Sequence, residues 1–373
     1  MLHAHKMRVL HNTCRALIPA AAAAGIKTLS ADEVVAAAVA RRKDSTNSHL
    51  VAMYSSYHGG IITDPGLMAL PVDDHMTNRG HGMFDTGGFA DGRFYRLDAH
   101  VERILRNAGR AQIPHTFTKE GLIEIIVETV RSTGLKDGSV RYFLTAGHGG
   151  FSWTPDECVE AGFYCVVIDG SAATGRAVPQ VKDLSLEKEF TAQTRFLRPQ
   201  FLAQTKSNNY LLNVMIAMES KAKGGAGYGI WVDEDDLVIE GAVCSVVFVT
   251  DELELITPRT DFERTALDGK TIERVLAIGK RMVAEGKLKS VQQRDVKATE
   301  VKSSLREMIL VGGDTHFTPI GEWDGVPVGG GMGGEVGDVC KEIYQAVLDE
   351  MLQDQTDDSL HINIYETVSA AAS

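Results

Sequence analysis

Three short stretches carry residues whose types and spacing could do chemistry together. The first is Thr205-Lys206-Ser207-Asn208-Asn209-Tyr210, where a lysine stands at the mouth of an amphipathic run. The second is Leu237-Val238-Ile239-Glu240-Gly241, a strand pattern ending in an acid. The third is Asp268-Gly269-Lys270-Thr271, a glycine turn feeding another helical pattern. Each has a bland reading alone: a solvated lysine, an acid at a strand end, a loop glycine. In this order they supply an amine able to form a Schiff base, a carboxylate able to hold a pyridinium proton, and a helix N-terminus able to cradle a dianion. Those are the three groups that pyridoxal phosphate needs.

Further stretches lie around them: Tyr54-Ser55-Ser56 with Gly59-Gly60-Ile61-Ile62, Asp73-Asp74-His75-Met76, and Arg79-Gly80-His81-Gly82-Met83-Phe84-Asp85-Thr86. Leu97-Asp98-Ala99-His100-Val101-Glu102-Arg103-Ile104 and Arg141-Tyr142-Phe143-Leu144-Thr145-Ala146-Gly147 complete the set. From about Met53 to about Leu348 the chain resembles the fold-type IV pyridoxal-phosphate enzymes: the D-amino-acid transaminases, branched-chain aminotransferases and aminodeoxychorismate lyases. It is most similar to the plant-type D-amino-acid transaminase branch.

The resemblance implies an α+β, two-domain fold, a class IV aminotransferase and a homodimer whose active site draws on both subunits. It also implies roles for single residues. Lys206 forms the internal aldimine and then carries a proton between the substrate Cα and the cofactor, work that a lysine with a lowered pKa can do and an arginine cannot. Glu240 holds the pyridinium proton. Arg103 matches the phosphate-contacting arginine, and Tyr210 the tyrosine near the ring hydroxyl. Thr271 is expected to be the N-cap after Gly269, with its hydroxyl and the amides of Lys270 and Thr271 facing the phosphate. Phe84 falls where bacterial D-amino-acid transaminases carry a tyrosine that holds the substrate carboxylate. His148 lies in the loop that supplies carboxylate contacts in the family, and reads equally as a surface-loop histidine. Cys244 and Ser245 depart from the usual residues after the acid, as do Gly313 and Asp314 where small hydroxyl residues often add phosphate contacts.

The reaction so implied moves the amino group of a D-amino acid such as D-alanine to a 2-oxo acid such as 2-oxoglutarate. A branched-chain L-amino-acid aminotransferase and an aminodeoxychorismate lyase stay open on the same scaffold. A non-catalytic cofactor-binding protein is the alternative from another class.

The elements that must position these residues follow from periodicity. Residues 1–50 read as an N-terminal extension with one helix, capped at Ser30-Ala31-Asp32-Glu33. Residues 51–169 read as a small α+β domain, with strands over Met53–Ile62, Leu67–Pro71, Arg93–Leu97, Arg141–Thr145 and Phe163–Ile168, and helices over Ala99–Ala108 and Lys119–Thr133. Residues 170–176 read as the linker and 177–373 as the large cofactor-binding domain. There Leu211, Leu212, Met215, Ile216 and Met218 form a helical stripe. Strands are expected over 229–232, 237–239, 245–249 and 308–311, and helices from Thr271 and over Val339–Met351. Gly329, Gly331 and Gly334 fit GxGxxG, but no strand feeds them and too little chain follows for a dinucleotide unit.

Composition narrows the partners. A net charge of −12 argues against nucleic acid, and no apolar run is long enough to cross a membrane. Cys14, Cys158, Cys165, Cys244 and Cys340 lack metal-ligand spacing, which points to free thiols in a reducing compartment and to no metal. Residues 1–31 hold no acid but include Lys6, Arg8, Arg15, Lys27 and the alanine run Ala20 to Ala24. A transit segment to an organelle and a plain extension of a cytoplasmic protein both fit.

Overall fold

The computed structural model of the protein describes residues 26–43, 49–170, 180–192, 198–260, 266–313, 316–331, 334–352 and 360–365. The expected linker, Gly170 apart, and the alanine run both fall outside the described residues. So do Cys14 and Asp314.

The strands in chain order are β1 (Leu50–Ser55), β2 (Gly60–Ile62), β3 (Gly82–Ala90), β4 (Arg93–Tyr95), β5 (Gly138–His148) and β6 (Glu160–Asp169). There follow β7 (Glu187–Glu189), β8 (Ile230–Val232), β9 (Val238–Gly241), β10 (Cys244–Thr250) and β11 (Glu254–Thr257). Then come β12 (Ser290–Gln293), β13 (Leu305–Gly312), β14 (His316–Trp323), β15 (Val326–Pro327) and β16 (His361–Asn363). They build two α+β domains, one around each large sheet.

The first sheet runs β16-β4-β3-β5-β6-β1-β2, with every pairing antiparallel. Alternate residues Val140, Tyr142 and Leu144 of β5 and Phe163, Cys165 and Val167 of β6 share one core with the helices Leu97–Arg110 and Lys119–Arg131. Those helices meet the sheet through Leu97, Val101, Ile104 and Ala108 and through Leu122, Ile126 and Val130, which are spaced as one helical face requires. The edge strand β16 comes from the far end of the chain.

The second sheet runs β12-β11-β10-β13-β14-β15, with β7 added beside β14. Its centre is buried on both faces, which explains the unbroken apolar runs of β10 and β13. Val247, Val249, Ile309 and Val311 meet the helices Lys270–Ala284 and Asp338–Leu352. Val246, Phe248, Met308 and Leu310 face the β8–β9 ribbon and Trp323 on the other side.

Three expectations meet local chemistry. The first helix, Ala31–Lys43, starts on the expected capping box, with Glu33 N–H donating to Ser30 Oγ at 3.3 Å and Ser30 N–H to Glu33 Oε2 at 2.9 Å. Leu67–Pro71 is not a strand. Pro65 and the Asp64 carboxylate, which accepts Gly66 N–H at 2.8 Å, close a 3₁₀ turn over Pro65–Leu67 instead. Gly66 must be small there, because an added Cβ would lie 2.7 Å from the Ala38 carbonyl oxygen. The helical stripe of Leu211–Lys223 is only partly inward: Ile216 is buried, but Leu211 and Met218 are 72% and 60% exposed. No described helix is long and apolar enough to cross a membrane.

Candidate active site

A cleft of about 370 Å³ opens between the two sheets, and seven of the eight residues singled out above line it: Phe84, Arg103, Lys206, Tyr210, Glu240, Lys270 and Thr271.

Lys206 is fixed through its backbone. Its carbonyl accepts the Phe84 N–H at 2.9 Å, Asn208 N–H donates to the Gly82 carbonyl at 3.0 Å, and Ser207 bridges to Met83. The lysine segment is thereby tied to β3 before the helix Leu211–Lys223 begins. The ammonium nitrogen stands 4.7 Å from the centre of the Phe84 ring and 5.9 Å from that of Tyr210. These two rings meet edge to face at 5.0 Å and form the wall beside the amine.

Glu240 lies next to the end of β9 and is buried. One carboxylate oxygen takes a hydrogen bond from Arg198 Nη2 and the other accepts Leu267 N–H at 3.1 Å. Burial pushes its carboxyl above the usual range, and Arg198 opposes that shift. Arg198 was legible in the sequence only as part of the run leading to Lys206, since nothing in its spacing ties it to an acid on a strand downstream.

At the opposite end the helix Lys270–Ala284 starts with Gly269, not Thr271, as its N-cap. Gly269 has extended backbone and no side chain to close on the first amides, so these stay open toward the cleft. Thr271 sits inside the first turn and donates its hydroxyl to the Gly312 carbonyl at 2.6 Å. The Lys270 ammonium binds Glu273 at 2.5 Å and Asp268 at 3.2 Å, which leaves its backbone amide as the group it offers. Arg103 is buried and grips Asp85 twice, through Nε at 2.8 Å and Nη2 at 2.7 Å, while Nη1 donates to the Asp268 carbonyl at 2.9 Å. His100 Nδ1 lies 3.0 Å from Asp85. Burial opposes the charge on Asp85, but Arg103 and His100 outweigh it and hold this carboxyl far below the usual carboxylate range. Asp85 lines the cleft, and it was given no role of its own in the sequence. Its signal was the spacing of His100 and Arg103, which places both on one helix face.

His148 is not brought into the cleft of its own chain. It ends β5 with its ring edge-on to Tyr57 at 4.8 Å. Among the described residues no three His, Cys, Asp or Glu side chains converge as a metal site would require, and the four described cysteines are free.

The donor set has the polarity of a phosphorylated pyridine aldehyde: an arginine and helix amides at one end, a buried acid at the other, and an amine on the wall between. The floor near the helix N-terminus is glycine. A Cβ on Gly269 would come within 3.0 Å of Ser245 Oγ, and one on Gly312 within 3.2 Å of the Val243 carbonyl oxygen. Backbone can thus approach a ligand closely there.

A family model described as amino-transferase class IV matches residues 82–323. The chain belongs to the class IV aminotransferases. It is 39% identical to the chloroplastic D-amino-acid transaminase of Arabidopsis thaliana, over 82% of this chain and 76% of that one. Identity is 28% to a bifunctional aminodeoxychorismate lyase/D-amino acid transaminase of Mycobacterium tuberculosis, over 52% of this chain and 65% of that one. Among solved structures, the branched-chain amino acid aminotransferase of Escherichia coli superposes with a TM-score of 0.71 at 18% identity, covering 84% of this chain and 99% of that one. A second branched-chain amino acid aminotransferase, from T.th. and solved with pyridoxamine 5′-phosphate, gives the same TM-score and coverage at 19% identity. Class IV aminotransferases of this fold use pyridoxal phosphate, and the family's expected α+β, two-domain fold is the one observed.

Proposed function

We infer that the protein is a pyridoxal-phosphate-dependent transaminase that moves the amino group of a D-amino acid, such as D-alanine, to a 2-oxo acid. The observation that supports this reading is that one cleft is lined by Lys206, Glu240, Arg103 and the first residues of the helix Lys270–Ala284. The 39% identity to a D-amino-acid transaminase supports the choice of substrate hand.

When bound, the cofactor supplies an electron sink for Cα and a carrier for the amino group. The chain's own residues do the rest. Lys206 would hold the cofactor through its amine, and the same amine would move a proton to and from the substrate Cα. Glu240 would accept the ring N–H, Arg103 and the helix amides would bind the phosphate, and Tyr210 would help hold the ring. Phe84 offers an apolar face in place of a hydroxyl, which leaves the substrate carboxylate to other groups.

A homodimer belongs to this reading. Large apolar side chains near the lysine segment, Phe201, Leu211, Val214, Met218 and Val243, are 48–72% exposed on the single chain and suit a second copy. His148, outside its own chain's cleft, is assigned to the substrate end of the partner subunit's cleft.

The test is the visible spectrum of the purified protein loaded with pyridoxal phosphate, before and after D-alanine without any oxo acid. Conversion of the bound cofactor to its pyridoxamine form is expected. A band indifferent to D-alanine but converted by L-leucine would favour the branched-chain reaction, and release of 4-aminobenzoate from aminodeoxychorismate would favour the lyase. No band at all would overturn the reading.

A further inference from the structure

Arg198 stands at the ring-nitrogen end of the cleft, and its geometry goes beyond what an ion pair alone requires. Its side chain is 4% exposed. The guanidinium lies over the Trp231 indole with Cζ 4.4 Å from the ring centre, so the plane of the cation is set by a fully buried aromatic. Trp231 belongs to β8, which pairs with β9, and β9 carries Glu240. The arginine's orientation and the acid's position are therefore fixed by one ribbon. From that platform Arg198 Nη2 donates to Glu240 Oε1, while Leu267 N–H engages Oε2. Each carboxylate oxygen has two acceptor sites, so both are oriented and Glu240 still has capacity to accept a further N–H from the cleft.

We propose that Arg198 is the positioning residue of the ring-nitrogen contact: it keeps Glu240 anionic and aimed as an acceptor, and thereby sets how strongly the bound cofactor withdraws electrons from Cα. The proposal rests on the cofactor reading above.

Two electrostatic effects make it specific. A carboxylate so deeply buried drifts toward its neutral form, in which it would donate rather than accept at the ring nitrogen, and the adjacent guanidinium counters that drift. The same positive charge also restrains Glu240 from removing the pyridinium proton outright. The other ionisable groups facing Glu240 do not replace it. Lys206 is committed to the cofactor. The Cys244 thiol on β10 is pushed far up by burial and by the charge of Glu240 itself, and stays neutral. Arginine suits the position better than lysine, since its planar cation can stack on the indole and hydrogen-bond the acid at once.

The experiment compares wild type, Arg198→Met, Arg198→Gln and Arg198→Lys, each loaded with pyridoxal phosphate. It reads the pH midpoint of the bound cofactor's visible band, the cofactor dissociation constant, and kcat and KM for D-alanine. Arg198→Met is expected to move the midpoint upward by about one unit, because a less positive ring draws less on the attached nitrogen. It is expected to lower kcat by about 10- to 100-fold, with a smaller change in KM, the scale on which outer partners of functional groups act. Arg198→Lys should restore most of both. If Arg198→Met does not fold, Arg198→Gln, which keeps a hydrogen bond and drops the charge, carries the same comparison. A midpoint and kcat equal to wild type in the charge-removing variant, with only a lower melting temperature, would overturn the proposal and leave Arg198 a structural ion pair. Absence of any band in the wild type would instead overturn the cofactor reading itself, and the proposal with it.

Discussion

Asp85 has no exposed surface, and both of its carboxylate oxygens are taken by Arg103, with His100 added on one side. Removing one member of such a set leaves a buried charge without its partner, at a cost of roughly 3–5 kcal/mol. Asp85→Asn is thus expected to lower stability by about that amount, read by denaturant unfolding of the cofactor-free protein, and Arg103→Met by a similar amount. The sign of the pH dependence follows from the depressed carboxyl. The unfolded chain binds a proton at Asp85 well before the folded one does, so the stabilisation is complete above the unfolded value of about 4 and is lost progressively as pH falls below it. A wild-type stability that falls between about pH 5 and pH 2, with a shallower fall in Asp85→Asn, is the expected outcome, and equal slopes would refute it. Catalysis has its own residue-scale test: Lys206→Ala should abolish turnover while leaving the fold intact, checked by initial rates beside far-UV circular dichroism.

At the scale of elements, Glu189 of β7 is another buried acid with a different task. It accepts N–H groups from Gly227 at 2.9 Å, Tyr228 at 3.0 Å and Gly229 at 2.8 Å, as well as the Ser220 hydroxyl at 2.9 Å. It thereby shapes the loop that carries Tyr228 to the cleft wall. Three amides deprived of their acceptor cost about 1 kcal/mol or more apiece, so Glu189→Ala is expected to lose roughly 3 kcal/mol and Glu189→Gln less, measured as urea midpoints. No pattern in the sequence announces this acid. Glu187-Lys188-Glu189 is charged throughout, and hydrogen bonds to loop amides obey no period that would single out its last member. The contrast with the helices Leu97–Arg110 and Lys270–Ala284 is physical. Their buried positions recur at helical spacing, which makes them legible from residue types alone. The expected strand at Leu67–Pro71 failed where two prolines and a capping acid outweighed a few apolar residues, whereas the stripe of Leu211–Lys223 does form a helix, though apolar spacing does not say which neighbour will cover it.

For the molecule as a whole, one turn beside the cleft joins the two domains, in addition to the tie between the lysine segment and β3. The helix Leu97–Arg110 of the first domain and its leading residue grip the segment Asp268 to Glu273 of the second. Arg96 donates to the Lys270 carbonyl at 2.9 Å and pairs with Glu273 at 2.8 Å, Arg103 reaches the Asp268 carbonyl, and Arg106 pairs with Asp268 at 2.8 Å. Arg96 adopts a left-handed backbone, φ 54°, which a non-glycine residue holds only when its surroundings fix it. In the sequence it was merely the end of a strand, since a contact with residues of the other domain leaves no local mark. The segment it grips is also the start of the helix proposed to hold the phosphate, and Glu273 in that first turn already favours the helix end electrostatically. Loosening the grip should therefore weaken cofactor binding without disturbing the proton chemistry at Lys206. Arg96→Met is expected to raise the dissociation constant for pyridoxal phosphate about tenfold, the effect of roughly 1.4 kcal/mol, with kcat at saturating cofactor close to wild type. Thermal unfolding checks the same coupling independently. At a fixed cofactor concentration of about 100 times the wild-type constant, the wild type gains about 2.7 kcal/mol, and a tenfold weaker variant gains about half of that. A variant with unchanged affinity but reduced kcat would place Arg96 in the chemistry rather than in the grip between domains.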